Sequence, residues 1–325
     1  MIRTLSIALI CVAALAILGG GAWLLTRGSG APPAPSERVV VRLPPAGRQP
    51  AVLLPAPDPS LVEKTADGLL PQIGKDGRQP WQAYARPFDA GDKRPRIALI
   101  ITGLGLDRAL SQAATDRLPA AVTLGFDPYA DNVKDAIGQA RSLGHETLLG
   151  LPMEPVDYPR EDPGPLTLLA ALPADENAAR LSKLMGEASG YVGFVALWGG
   201  RFTAEKAPLL SALEILKQRG LLYVDNKPPA ENTTALLADQ IKLPWAAANR
   251  VIDSDATPAA IDQAFADLET DAQHGGAALA IAALSPAVLE HAANWVATLD
   301  KKGLVLAPAS AIANRQSTAV PNPPP

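Results

Sequence analysis

The sequence predicts an α/β fold, a (β/α) barrel of seven or eight mostly parallel strands. Three observations predict it. Short apolar runs recur about every 25 residues from Ile97 onward, with turn signals between them. The gaps carry apolar stripes of helical period. Glycines then close those stripes before the next run begins. Repeated strand–helix units build a parallel sheet, either closed or doubly wound, and the regular recurrence favours the barrel. In both architectures functional groups belong beyond the carboxyl ends of the strands.

The chain begins with an uncharged apolar stretch from Leu5 to Leu25. Such a stretch is long enough to cross a hydrocarbon core of about 30 Å. Residues 1–27 are expected to be an uncleaved membrane anchor, with a cleaved signal segment as the alternative. Arg3 and Arg27 flank the stretch and barely discriminate orientation. A short leading stub stays most simply in the cytoplasm. The expectation is a single-pass inner (cytoplasmic) membrane protein with its soluble domain on the periplasmic side. Residues 28–68 are rich in Pro and Ala, without sustained period, and are expected to be a linker. A domain is expected over 69–312 and a disordered tail over 313–325.

The strands are expected at Ile97–Ile101, Val122–Gly125, Thr147–Leu151, Val192–Leu197, Leu221–Val224, Arg250–Ile252, Ala277–Ala282 and Leu304–Leu306. Val133, Ala136, Ile137, Ala140 and Leu143 form a helical stripe that stops at Gly144. A second helix runs from about Ala204 to Arg219 before Gly220. Thr257 and Pro258 open a third as N-cap and first-turn residue. A fourth extends from about Ala287 to Lys302 and stops at Gly303.

Composition excludes several classes. The net charge is −4 and no Lys/Arg run tracks a phosphate backbone, so no nucleic-acid partner is expected. The only cysteine, Cys11, lies in the apolar N-terminal stretch. The soluble part therefore has no disulfide, thiolate metal site or cysteine nucleophile.

The expected strand ends carry little chemistry: Thr102-Gly103, Gly150, Trp198-Gly199-Gly200, Asp225, Asp253 and Ala283-Leu284. His145 and His274 precede their strands and should face the opposite end, while His291 lies within a helix. Catalytic zinc typically takes three protein ligands, commonly including histidine, so no such site is expected at the strand ends. No G-x-S-x-G elbow occurs. Gly103-Leu104-Gly105 hints at a dinucleotide turn with Asp127 as ribose ligand, but Arg108 stands at the third glycine position, and a close-packed turn explains the glycines as well.

Certain strings resemble the divergent polysaccharide deacetylases. Ile97 to Gly105 does so, as does Gly144-His145-Glu146-Thr147 through Leu151-Pro152-Met153-Glu154-Pro155. Asp162-Pro163-Gly164-Pro165, Gly200-Arg201-Phe202-Thr203 and Gly220 to Asp225 are similar too, and Leu70 to Phe88 resembles a lead-in of some members. The resemblance runs from about Leu69 to Ile312. It implies a distorted β/α barrel, an envelope location and carbohydrate as the substrate class. It also implies an Asp-Asp pair where this chain has Thr102-Gly103, and histidines where it has Gly150 and Leu197. A Gly-His-Pro is replaced by Ala282-Ala283-Leu284. Metal-assisted deacetylation needs an ion to activate water, with positioned acid and base groups, and none of these replacements supplies either.

No catalytic residue, metal ligand or cofactor is therefore expected. The candidate substrate-binding pocket comprises Glu154, Trp198, Arg201, Asp225 and Asp253. Trp198 could stack on a sugar or fill the vacated space. Arg201 could pair with Glu154 or Asp225, and the two aspartates could be turn or cap residues. The expected function is binding of an envelope glycan or an envelope protein partner by a catalytically inactive domain. The alternative is a metal-dependent deacetylase with a rearranged oxygen site built from Glu154, Asp225 and Asp253.

Overall fold

The structure, a computed structural model, describes residues 52–229 and 232–316. The expected anchor, residues 28–51 of the expected linker and residues 317–325 of the expected tail lie outside them. No helix of the described residues is long and apolar enough to cross a membrane.

A hairpin leads, with β1 (Val62–Thr65) antiparallel to β2 (Gly68–Pro71), followed by the single turn α1 (Pro80–Ala83). The alternating units are β3 (Arg96–Leu104), α2 (Arg108–Arg117), β4 (Thr123–Phe126), α3 (Val133–Ser142), β5 (Thr147–Met153) and α4 (Ala174–Gly186). Then come β6 (Gly193–Trp198), α5 (Lys206–Gln218), β7 (Leu222–Asp225), α6 (Thr233–Ile241), β8 (Trp245–Ala247) and β9 (Arg250–Ile252). The last are α7 (Pro258–Gly275), β10 (Ala277–Ala283), α8 (Pro286–Val296) and β11 (Val305–Leu306). The strand order is β8-β7-β6-β5-β4-β3-β10-β9, with β11 beside β3 and every pairing parallel. Eight parallel strands thus curl into a half-barrel that alternates with helices.

One segment joins the two edges of this sheet. β8 pairs with β7 and β9 with β10, yet only Ala248 and Asn249 separate them. Ala248 N–H donates to the Asp225 carbonyl at 2.9 Å, and Asn249 N–H donates to the Leu279 carbonyl at 2.8 Å. Residues 245–252 therefore serve one edge with their first half and the other with their second. Asn314 and Gln316 side chains bond to Trp245 and Ala247 backbone groups beside this seam.

The strand period of two sorts the core into layers. Ala98, Ile100, Leu148, Val224, Ala246 and Leu279 face the lumen. Ile97, Leu99, Leu151, Phe194 and Tyr223 face the helices, with Ile137, Leu184, Leu213 and Phe265 among their partners.

All eight expected strands are present. β8 was not expected, because three residues after Pro244 give too short a run to read. Thr257 caps α7 as expected, accepting from Ala260 N–H, with Pro258 in its first turn. α8 stops at Val296 rather than continuing to Lys302, and a 3₁₀ turn over Asp300–Lys302 takes over. Two boundaries differ from expectation. Residues 52–68 of the expected linker pack on the domain: Leu53 and Leu61 are buried, Asp58 N–H donates to Tyr84 Oη, and Arg141 donates to the Leu54 carbonyl. Proline breaks a repeating ladder but leaves carbonyls free to accept from side chains, so proline content alone misplaces this boundary. Asn314–Gln316 of the expected tail likewise belong to the seam.

Candidate functional site

The carboxyl ends of β5, β6 and β7 are neighbours in the sheet and carry most of the candidate residues. Glu154 follows β5 and is buried. Its Oε2 accepts from Ala170 N–H at 2.7 Å, and its Oε1 lies 3.3 Å from Arg201 Nε. The Glu154 carbonyl also accepts from the N–H groups of Arg201 and Phe202. Glu154 thus fixes the turn after β6 to the loop after β5, and Arg201 pairs with it rather than with Asp225.

Trp198 ends β6 with a left-handed backbone, φ +57°, and Gly199 follows at φ +90°. This region is unfavourable for a bulky residue. The indole is 41% exposed. Its Nε1–H donates to Glu161 Oε1 at 2.8 Å, and Asn226 Nδ2 donates to the Trp198 carbonyl at 2.8 Å. Val156, also exposed, stands against Gly200.

Asp225 and Asp253 do not join this group. Strand alternation turns Val224 into the lumen and Asp225 outward, beside Asn232 and Thr234 at the start of α6. Burial pushes the Asp225 carboxyl above the usual range, and Lys227 N–H donates to its Oδ1. Asp253 is exposed in the turn before α7, its carbonyl accepting from Ala256 N–H. Among the described residues no three His, Cys, Asp or Glu side chains converge to hold a metal. The oxygen site expected from Glu154, Asp225 and Asp253 is not assembled, because one carboxylate is tied to Arg201, one faces α6 and one lies in a surface turn.

The floor of the mouth is aliphatic. A Cβ on Gly150 would lie 2.5 Å from Leu197 Cδ1 and 3.2 Å from Pro128 Cδ. One on Gly125 would meet Thr102 Cγ2 at 3.1 Å and Val195 Cγ1 at 3.3 Å. At two positions where the resemblance implies histidines, Gly150 offers no side chain and Leu197 fills the space with carbon. This donor set does not fit a catalytic metal.

Sequence reasoning missed Glu161, Asn226 and Lys227, which come from loops without a periodic signal. Lys227 Nζ donates to Thr203 Oγ1 at 2.5 Å. Asp127 is buried just beyond β4, where it accepts from Tyr129 N–H at 2.8 Å, and burial raises its pKa. Its place at a strand end, in phase with Gly125, was the legible signal. The histidines are remote as expected: His145 is buried between the carbonyls of Val122 and Thr115, and His291 pairs with Asp262 at 2.6 Å.

The model of the divergent polysaccharide deacetylase family matches residues 99–313. The chain belongs to that family. A crystal structure of uncharacterized protein ATU2773 from Agrobacterium tumefaciens C58 is similar, with 36% identity and a TM-score of 0.72 over 75% of this chain and 99% of that one. An Enterococcus faecalis structure, at 13% identity and TM-score 0.49 over 68% of this chain and 99% of that one, is too distant to carry an argument. No protein with a curated description matches.

For this member of the divergent polysaccharide deacetylases, restoring one family histidine should not restore a metal site. Gly150→His is expected to lower stability by about 1–3 kcal/mol, the usual cost of overpacking, because Leu197 occupies the space. A thermal melt beside a zinc titration checks both halves.

Proposed function

We propose that this is a membrane-anchored envelope protein whose deacetylase-like domain binds carbohydrate at the carboxyl mouth without hydrolysing it. The observation that carries the reading is that Leu197 fills the space a side chain at Gly150 would need. Where metal-assisted hydrolysis would need ligands and a water, one position has no side chain and the other fills the space with carbon. Above that floor stands an exposed indole beside polar groups, the arrangement that lets an apolar sugar face stack while hydroxyls find partners. The uncharged stretch Leu5–Leu25 supports the anchor, and a domain outside the membrane would meet envelope glycans.

The test uses the full chain after chelator treatment. Calorimetric titration with zinc is expected to show no one-to-one binding, and N-acetylated oligosaccharides should release no acetate with zinc, cobalt or magnesium present. Stoichiometric tight binding, or metal-dependent acetate release, overturns the non-hydrolytic reading. Recovery of the chain in a salt-washed membrane fraction is the expected result for the anchor, and recovery in the soluble fraction rejects it.

A further inference from the structure

We infer that the ligand of this mouth is a sugar polymer bearing free ammonium groups, in preference to acetamido or carboxylate groups. The inference rests on the carbohydrate reading above and sharpens it to a chemical class. It comes from the charges around Trp198. Two cations on the neighbouring loops already have carboxylate partners. Arg201 pairs with Glu154 at 3.3 Å, and Arg160 pairs with Asp157 at 3.3 Å. Lys227 Nζ is held by Thr203 Oγ1 at 2.5 Å, behind the turn that follows Trp198, and the Thr203 hydroxyl donates in turn to the Gly199 carbonyl. Glu161 and Asp162 have no cation within ion-pair distance among the described residues. Glu161 accepts only the indole N–H, and Asp162 Oδ1 accepts the Gly164 N–H.

The exposed ring thus offers a cation two negative groups at short range. The π face of tryptophan carries the negative end of its quadrupole and attracts a cation within about 6 Å. The Glu161 carboxylate sits at the ring edge, 2.8 Å from Nε1. An ammonium group on a stacked sugar gains from both. A neutral acetamido group gains no charge–charge or cation–π attraction from them, and a uronate carboxylate is repelled. The ring also stands where the backbone disfavours it, since a left-handed conformation crowds the Cβ of a non-glycine residue. That conformation holds the indole exposed at the mouth.

The two residues have separable tasks. Stacking on Trp198 supports any pyranose, whereas Glu161 discriminates by charge. Trp198→Gly removes the ring while suiting the backbone, so it should fold. Glu161→Gln keeps an acceptor for the indole N–H and removes only the charge.

Calorimetry of the full chain with glucosamine, N-acetylglucosamine and galacturonate tetramers tests this. The glucosamine tetramer is expected to bind at least tenfold more tightly than the N-acetylated one, with the uronate weakest. Glu161→Gln should cut that preference to about threefold or less and leave N-acetylglucosamine binding unchanged. Trp198→Gly should abolish both. Asp116→Asn, on α2 toward the opposite end of the barrel, should leave the preference intact. Equal or tighter binding of either other tetramer, or a preference insensitive to Glu161→Gln, overturns the inference and leaves carbohydrate binding standing. Absence of binding by all three overturns the carbohydrate reading, and this inference with it.

Discussion

Glu146→Ala is expected to destabilise the domain by about 3–5 kcal/mol, since each buried donor left unpaired costs about 1–3 kcal/mol. The Glu146 carboxylate is fully buried at the amino end of the half-barrel. It accepts from Arg86 N–H at 3.2 Å, Thr123 Oγ1 at 3.3 Å and Ser310 N–H at 2.9 Å, and also from Ser310 Oγ. One side chain therefore ties the lead-in, β4 and the C-terminal segment together. Glu146→Gln keeps the shape and should cost less. The pair also separates charge from shape through pH. Burial raises the carboxyl above its ordinary value of 4.5, so the native state holds this proton more tightly than the unfolded chain. Stability from this group is then largest below 4.5 and falls as pH rises through the native value. Asp127 and Asp225 carry shifts of the same sign, so the wild type retains part of the slope in any single variant. Urea denaturation across pH should show a shallower decline in Glu146→Gln than in the wild type. Parallel curves would mean that Glu146 does not titrate in that window.

Gly193→Ala should be harsher still. A Cβ there would fall 1.9 Å from the Leu222 carbonyl oxygen and 2.6 Å from its carbon. Both are backbone atoms of the paired strand, so no rotamer change can make room. β6 and β7 would have to part at the start of the ladder that carries Trp198 and Asp225. A loss above about 4 kcal/mol is expected, in the range reserved for severe core lesions. The chain should become insoluble or melt tens of degrees lower. Gly138→Ala is the control. It lies within α3 with nothing within 4 Å of the added methyl, and alanine in a helix is favoured over glycine by about 1 kcal/mol. A wild-type-like melt for Gly193→Ala would show that the β6–β7 ladder is more yielding than its geometry implies.

The strand–helix succession was legible because its signals are local and repeated. Ile97–Ile101 and Ala277–Ala282 are continuous apolar runs, as strands buried on both faces require. β8 was hidden because its identity comes from pairing with β7 and from the Asn314 and Gln316 side chains, both remote in sequence. The site was legible in part. Glu154, Trp198 and Arg201 lie together because adjacent parallel strands bring their ends together. Asp225 was misplaced by parity: a residue at a strand end can point to either face, and here the lumen belongs to Val224. Glu161 could not be found from sequence, since a thirty-seven-residue separation from Trp198 leaves no periodic trace.

The seam at residues 245–252 has a consequence for how the chain reaches this shape. Every lateral junction from β3 through β8, and from β9 to β10, joins strands that are consecutive in the chain. The seam turns β8 into β9 without a crossover. Distant parts meet only at β3, where β10 and then β11 pair with it, and Thr102 bonds to Ala282 across 180 residues. Assembly can therefore proceed by accretion, each strand adding to the one made just before it, until only the distant closure on β3 remains. Closure entropy grows only about 0.6 kcal/mol for each doubling of loop length, so that last step costs little stability. It governs speed instead, because a non-local pairing forms slowly. Until Ala277–Ala283 has been synthesised, β3 has an open edge, and the apolar run from Ile97 to Ile101 is the part of the nascent chain most in need of cover.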